Sequence, residues 1–90
     1  MNMITHQELF EAVRKILYEI WDPIGIVGTP GAHDEYDMYA PKIVEIILNS
    51  GSKDEIFNYL EWAVSERMEL PVDKNKTMSV AEKLFAFESA

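Results

Sequence analysis

Apolar residues recur along most of this chain at spacings of three and four, the pattern of helices with one buried side. In HQELFEAVRKILYEIW, Leu9, Phe10, Val13, Ile16, Leu17, Ile20 and Trp21 share one side and Glu8, Glu11, Lys15 and Glu19 the other. Glu11 and Lys15 stand at the stabilising four-residue spacing. Pro23 drives Asp22 out of helical dihedrals, so the spacing predicts a first helix over about 6–21.

A second apolar side runs through Tyr36, Tyr39, Ile43, Ile46 and Ile47, widened by Val44 and Leu48. It crosses Pro41, which lacks the N–H an unbroken helix would use there. The expected arrangement over 35–49 is one turn at 35–39 and then a helix from Pro41, with the proline at its favoured first position. Asn49-Ser50-Gly51 reads as the stop, with the glycine taking the left-handed conformation. A third helix over 53–69 would bury Ile56, Phe57, Leu60, Ala63, Val64 and Met68. A fourth over 80–88, after a polar connection from Val72 to Met78, would bury Val80, Ala81, Leu84 and Phe87.

Three Ser/Thr-x-x-Glu stretches, Thr5–Glu8, Ser52–Glu55 and Ser79–Glu82, supply start signals. In each, a hydroxyl can take an unpaired N–H of the first turn while the glutamate reaches back to the cap. No repeat or convincing strand is present, and 90 residues suffice for one domain. The expected fold is all-α: a single small four-helix, bundle-like domain over 1–90, with a long apolar Gly/Pro-containing loop between helices 1 and 2.

That loop, WDPIGIVGTPGAHDEYDMYAP, carries Ile24, Ile26 and Val27 where solvent is expected, then Asp34, Glu35 and Asp37 around Tyr36. Burying an isoleucine or valine contributes about 1.5–3 kcal/mol, and a small core has few apolar groups to spare. The loop is therefore expected to fold back as a lid over helix ends, ahead of serving as a partner surface. Asp34 reads as an N-cap, with Glu35 and Asp37 in the first turn where the helix dipole favours negative charge.

Trp62 falls opposite the core side of the third helix, near Glu55, Asn58, Glu66 and Glu69 and beside Tyr59. Tryptophan is a common interface anchor, and carboxylates around it suit a partner rich in lysine and arginine. The plainer alternative is that the glycine-rich loop or the last helix covers the ring.

Composition sharpens this picture. The net charge is −8, and residues 1–70 hold 13 acids against 5 bases while residues 71–90 hold 3 against 3. Such a surface repels nucleic acid and anionic lipid and attracts basic proteins. Cysteine is absent, so thiol chemistry and disulfides are excluded. With no signal peptide or membrane span in the pattern, the expected location is cytoplasmic.

Catalytic signals are missing. His6 sits in a first helical turn, His33 has no nucleophile beside it, and the glycines at 25, 28 and 31 form no phosphate-binding loop. No enzyme activity and no cofactor are expected. A divalent-metal or ligand site made from Asp22, His33, Asp34 and Asp37 is the rival reading, although the spacing matches no calcium loop.

WDPIGI followed by DEYDMYAP, then a helix, a glycine and a helix ending near ERMEL, resembles a family of small bacterial proteins. The resemblance spans about residues 16–70. It implies an all-helical domain without assigned chemistry, with Trp21, Asp22, Pro23, Asp34, Tyr36, Asp37 and Tyr39 as its characteristic residues. The insert Val27 to His33 resembles a variable region of such proteins. By size, charge and fold class alone the chain is also similar to toxin immunity proteins. The expected function is accordingly a non-enzymatic acidic domain that binds a basic protein, an immunity-type inhibitor of a toxin or nuclease being one form. Its contact face would be Glu55, Tyr59, Trp62, Glu66 and Glu69, on a monomer or on a homodimer closed over the loop or Trp62.

Overall fold

Thr5 opens the first helix in the way its sequence predicts: its hydroxyl accepts the Glu8 N–H while the Glu8 carboxylate accepts the Thr5 N–H, each at 3.0 Å. Helix α1, His6–Ile16, then loosens into a wide i→i+5 turn, Leu17–Trp21. The computed structural model describes residues 5–32 and 34–89. Within them follow a tight turn Asp37–Tyr39, α2 (Ala40–Leu48), α3 (Lys53–Trp62) with a second wide turn Ala63–Arg67, and α4 (Lys74–Phe85) ending in a tight turn Ala86–Ser89. No strand occurs among the described residues. The protein is a small all-α domain in which α3 packs most extensively on α4 and α1 lies against α2. None of the described helices is long and apolar enough to cross a membrane.

The core runs through all four helices. Leu9, Val13, Leu17 and Trp21 meet Ile43, Val44 and Ile47 of α2, Ile56, Leu60 and Val64 of the third segment, and Val80, Ala81 and Leu84 of α4. The wide turn after Ile16 explains one departure from simple helical spacing. An i→i+5 turn sets successive side chains less than roughly 100° apart, so Trp21 stays in line with Leu17 while Ile20 rolls outward. Trp21 is accordingly buried and Ile20 exposed. Leu48 is exposed as well, because it lies on the rim of the α2 apolar arc in its last turn.

Four expected boundaries shift. Helix α2 starts at Ala40, with Pro41 already inside the first turn, where its missing N–H leaves no gap. The preceding turn is tighter than α and begins at Asp37 rather than 35. The last helix begins at Lys74 rather than 80: Asp73 caps it by accepting the Lys76 N–H at 3.0 Å, and the third Ser-x-x-Glu stretch lies inside the helix. The extra turn buries Thr77, whose hydroxyl donates to the Asp73 carbonyl at 2.7 Å. The third helical segment ends at Arg67, short of 69, in a turn where Glu69 takes a left-handed φ of 55°.

The end of α2 assigns its residues differently from the sequence reading. Ser50, not Gly51, is left-handed, with φ 58°. The Gly51 N–H donates to Ile46 O at 2.8 Å and the Ser50 N–H to Ile47 O at 3.2 Å, a Schellman closure. Glycine is required one residue later for space, since a Cβ on Gly51 would stand 2.5 Å from Ile46 Cγ2 and 2.9 Å from Ile46 O. Ser50→Gly is therefore expected to stabilise the fold by up to about 1 kcal/mol, and Gly51→Ala to destabilise it by about 1–3 kcal/mol. Urea unfolding of the two variants beside the wild type checks the pair; a stable Gly51→Ala would show that the closure is not sterically locked.

Candidate functional site

Asp22 organises the loop after α1. At the end of the wide turn it adopts φ 32°, ψ 60°, a left-handed conformation that aspartate tolerates better than most residues. Its carboxylate faces back into the loop and accepts four donors. Oδ1 takes the Gly25 N–H at 3.1 Å, the Ile26 N–H at 2.7 Å and the Tyr36 hydroxyl at 2.8 Å, and Oδ2 takes the Val27 N–H at 3.1 Å. The Tyr36 oxygen in turn accepts the Ile24 N–H at 3.0 Å, and Tyr18 accepts the Gly28 N–H at 2.9 Å. Burial pushes the Asp22 carboxyl up, but the hydrogen bonds from Ile26, Tyr36, Val27 and Gly25 outweigh it and hold it below the ordinary aspartate value. Burial and then the Asp22 carboxylate raise the Tyr36 phenol well above the usual tyrosine range, against the opposing Ile24 N–H, so it remains a donor.

This arrangement overturns the lid. The loop is tied down through its backbone, and those ties decide where its side chains point. Ile26 packs on the core, while Ile24 and Val27 stand 51% and 52% exposed. The acids also separate. Asp37 pairs with Arg14 at 2.9 Å, Asp34 and Glu35 are exposed, and the turn Asp37–Tyr39 has Tyr36, not Asp34, at its cap position, with no side-chain cap bond. His33 lies outside the described residues. Of the rival metal set, Asp22 is occupied by its four donors and Asp37 by a guanidinium. Among the described residues no group of three or more carboxylates and histidines could hold a metal ion.

Of the characteristic residues, Trp21, Asp22, Tyr36 and Tyr39 meet at one place. The Trp21 ring meets Tyr36 edge-on at 5.3 Å and Tyr39 at 5.7 Å. The row continues outward from Tyr39 to Tyr59 at 6.3 Å, and Tyr59 stacks on Trp62 at 5.6 Å with 23° between the planes. Each such pair contributes about 0.5–1.5 kcal/mol beyond area burial. The aromatic row thus runs from the loop knot to the surface of α3.

Trp62 ends that row 41% exposed, so its ring is not enclosed by the rest of the chain. Tyr59 beside it is half-buried, and burial raises its phenol above the ordinary value, with Arg67 opposing. Glu66 and Glu69 are exposed, whereas the Glu55 carboxylate is partly engaged, accepting the Ser52 N–H at 3.0 Å. One member of this face has no sequence signal. Arg67 stands five residues after Trp62, roughly 140° away on a regular helix, but the wide turn carries its guanidinium to 5.8 Å from the Trp62 ring centre.

A cleft of about 150 Å³ opens between Trp21, Pro23, Val64, Pro71, Asp73, Lys76 and Thr77. Sites for small organic ligands usually enclose about 300 Å³ or more. The Thr77 hydroxyl at its wall is already bonded to the Asp73 carbonyl. No family model, curated protein or solved structure matches the chain.

Two measurements probe the Asp22 knot. Tyr36→Phe strands the Ile24 N–H and removes one donor from Asp22, and is expected to cost about 1–2 kcal/mol in urea unfolding. A folded carboxyl with a depressed pKa binds fewer protons than the unfolded chain, so its contribution is complete above the unfolded value of about 3.9. The stability gap between wild type and Asp22→Ala should thus stay constant above about pH 5 and close as pH falls through the lowered native value. A gap independent of pH would show that the Asp22 charge does not hold the loop.

Proposed function

We propose that this chain is a non-enzymatic protein-binding domain that docks a basic partner on the face of α3 bearing Trp62, with Tyr59 behind it and Glu55, Glu66 and Glu69 around it. The observation that carries this reading is the 41% exposed indole, stacked on a half-buried tyrosine on the outer side of a chain of net charge −8. A tryptophan held flat by its own neighbour loses little freedom on binding, which suits an anchor. The carboxylates around it would steer a positively charged surface and set the orientation of the encounter. An immunity-type inhibitor of a basic toxin or nuclease is the narrower form of this proposal, supported by small size, acidity and helical fold. The likeness of WDPIGI and DEYDMYAP to a helical bacterial family adds a domain without assigned chemistry. Asp22 and Tyr36 serve in this reading to build the scaffold behind the face.

The test is affinity capture from an extract of the native cell with immobilised wild type and Trp62→Ala, followed by kinetics on the captured partner. Trp62→Ala is expected to weaken the complex by about 2 kcal/mol or more, and added salt to slow association. A partner that binds both proteins equally and at a salt-independent rate would remove this face from consideration.

A further inference from the structure

The indole at the proposed docking face already has a cation against it. Arg67 is exposed, and among the described residues its guanidinium has no carboxylate within 4.0 Å, although Glu66 and Glu69 flank it in sequence. It lies over the Trp62 ring instead, 5.8 Å from ring centre to guanidinium carbon. Lys53 and Lys74, the other bases on or beside α3, are instead paired with Glu82 at 3.5 Å and Glu61 at 3.8 Å. The arginine reaches the ring only because α3 winds wide over Ala63–Arg67; on an ordinary helix it would lie on another side.

We infer that Arg67 is a displaceable internal occupant of a guanidinium-binding site formed by the stacked Tyr59–Trp62 pair, and that an arginine of a basic partner takes its place. This rests on the docking reading above and specifies what that face receives. The arginine of the chain itself shows which chemical group fits the ring. Tyr59 holds the indole in position, and Glu66, exposed, is the residue immediately before the occupant in sequence. An exposed guanidinium held by a cation–π contact is bound by only about 0.5–1 kcal/mol, so exchange costs little. The net charge of −8 attracts an incoming cationic side chain over an uncharged one. Arg67 therefore restrains binding: it shields the indole until a better-positioned arginine arrives.

The experiment is calorimetric titration of the full chain with an amidated hexa-arginine peptide at one fixed salt concentration. The proteins compared are wild type, Arg67→Ala, Trp62→Ala, the double variant, and Lys42→Ala. Lys42, exposed on α2 and 3.7 Å from Glu45, controls for removing one positive charge. Arg67→Ala is expected to tighten binding about two- to fivefold beyond Lys42→Ala. In the Trp62→Ala background that excess should vanish. If Trp62→Ala weakens binding but Arg67→Ala gives no gain over Lys42→Ala, Arg67 is not an occupant, the inference falls, and the docking face stands. If the gain persists without Trp62, it is plain electrostatics and the inference also falls. If Trp62→Ala binds as well as wild type, the docking face itself is lost and the inference with it.

Discussion

One carboxylate fixes the long irregular loop of this molecule. Asp22 gathers three consecutive backbone N–H groups and a tyrosine hydroxyl, and the loop from Trp21 to Tyr36 has little regular structure of its own. Unpaired backbone donors beside a core are costly, and a charged acceptor satisfies them with short, strong hydrogen bonds. Because Tyr36 also lies edge-on to Trp21, the same contact fastens the start of the second helical region to the end of the first. Remove that acceptor and both the loop path and the seat of the aromatic row lose their reference point.

The two wide turns do related work at the ends of α1 and α3. Each lets a helix change its facing by a fraction of a turn without breaking. The first keeps Trp21 inside and turns Ile20 out; the second brings Arg67 onto the side of Trp62. Each is followed by a non-glycine residue with positive φ, Asp22 and Glu69, so the chain leaves both helices by a sharp reversal. Such turns are frequent at functional sites because they move side chains to positions that regular winding cannot reach.

The helical class and most of the core were legible, since apolar spacing reports directly on which side of a helix is buried. Two Ser/Thr-x-x-Glu stretches formed capping boxes, at Thr5 and Ser52, because each precedes an apolar run with nothing better upstream. At Ser79 a competing cap, Asp73, lies one and a half turns earlier and allows Thr77 to be buried as well; Asp73 following Pro71 was the available signal. The lid failed for a different reason. Hydrophobicity says that Ile24, Ile26 and Val27 gain from burial, but only the hydrogen-bond pattern around Asp22 says which of them turns inward. The exposed Trp62 could be placed from α-helical spacing, whereas the position of Arg67 depends on a change of winding that no residue announces.

The two tryptophans occupy opposite ends of a single row of rings, one 2% and the other 41% exposed, with Tyr39 and Tyr59 between them. The molecule thus carries two intrinsic optical reporters of different character. The emission of Trp21 registers the integrity of the loop and interior, that of Trp62 registers events at the outer face, and a quencher confined to water separates the two signals without any label being attached.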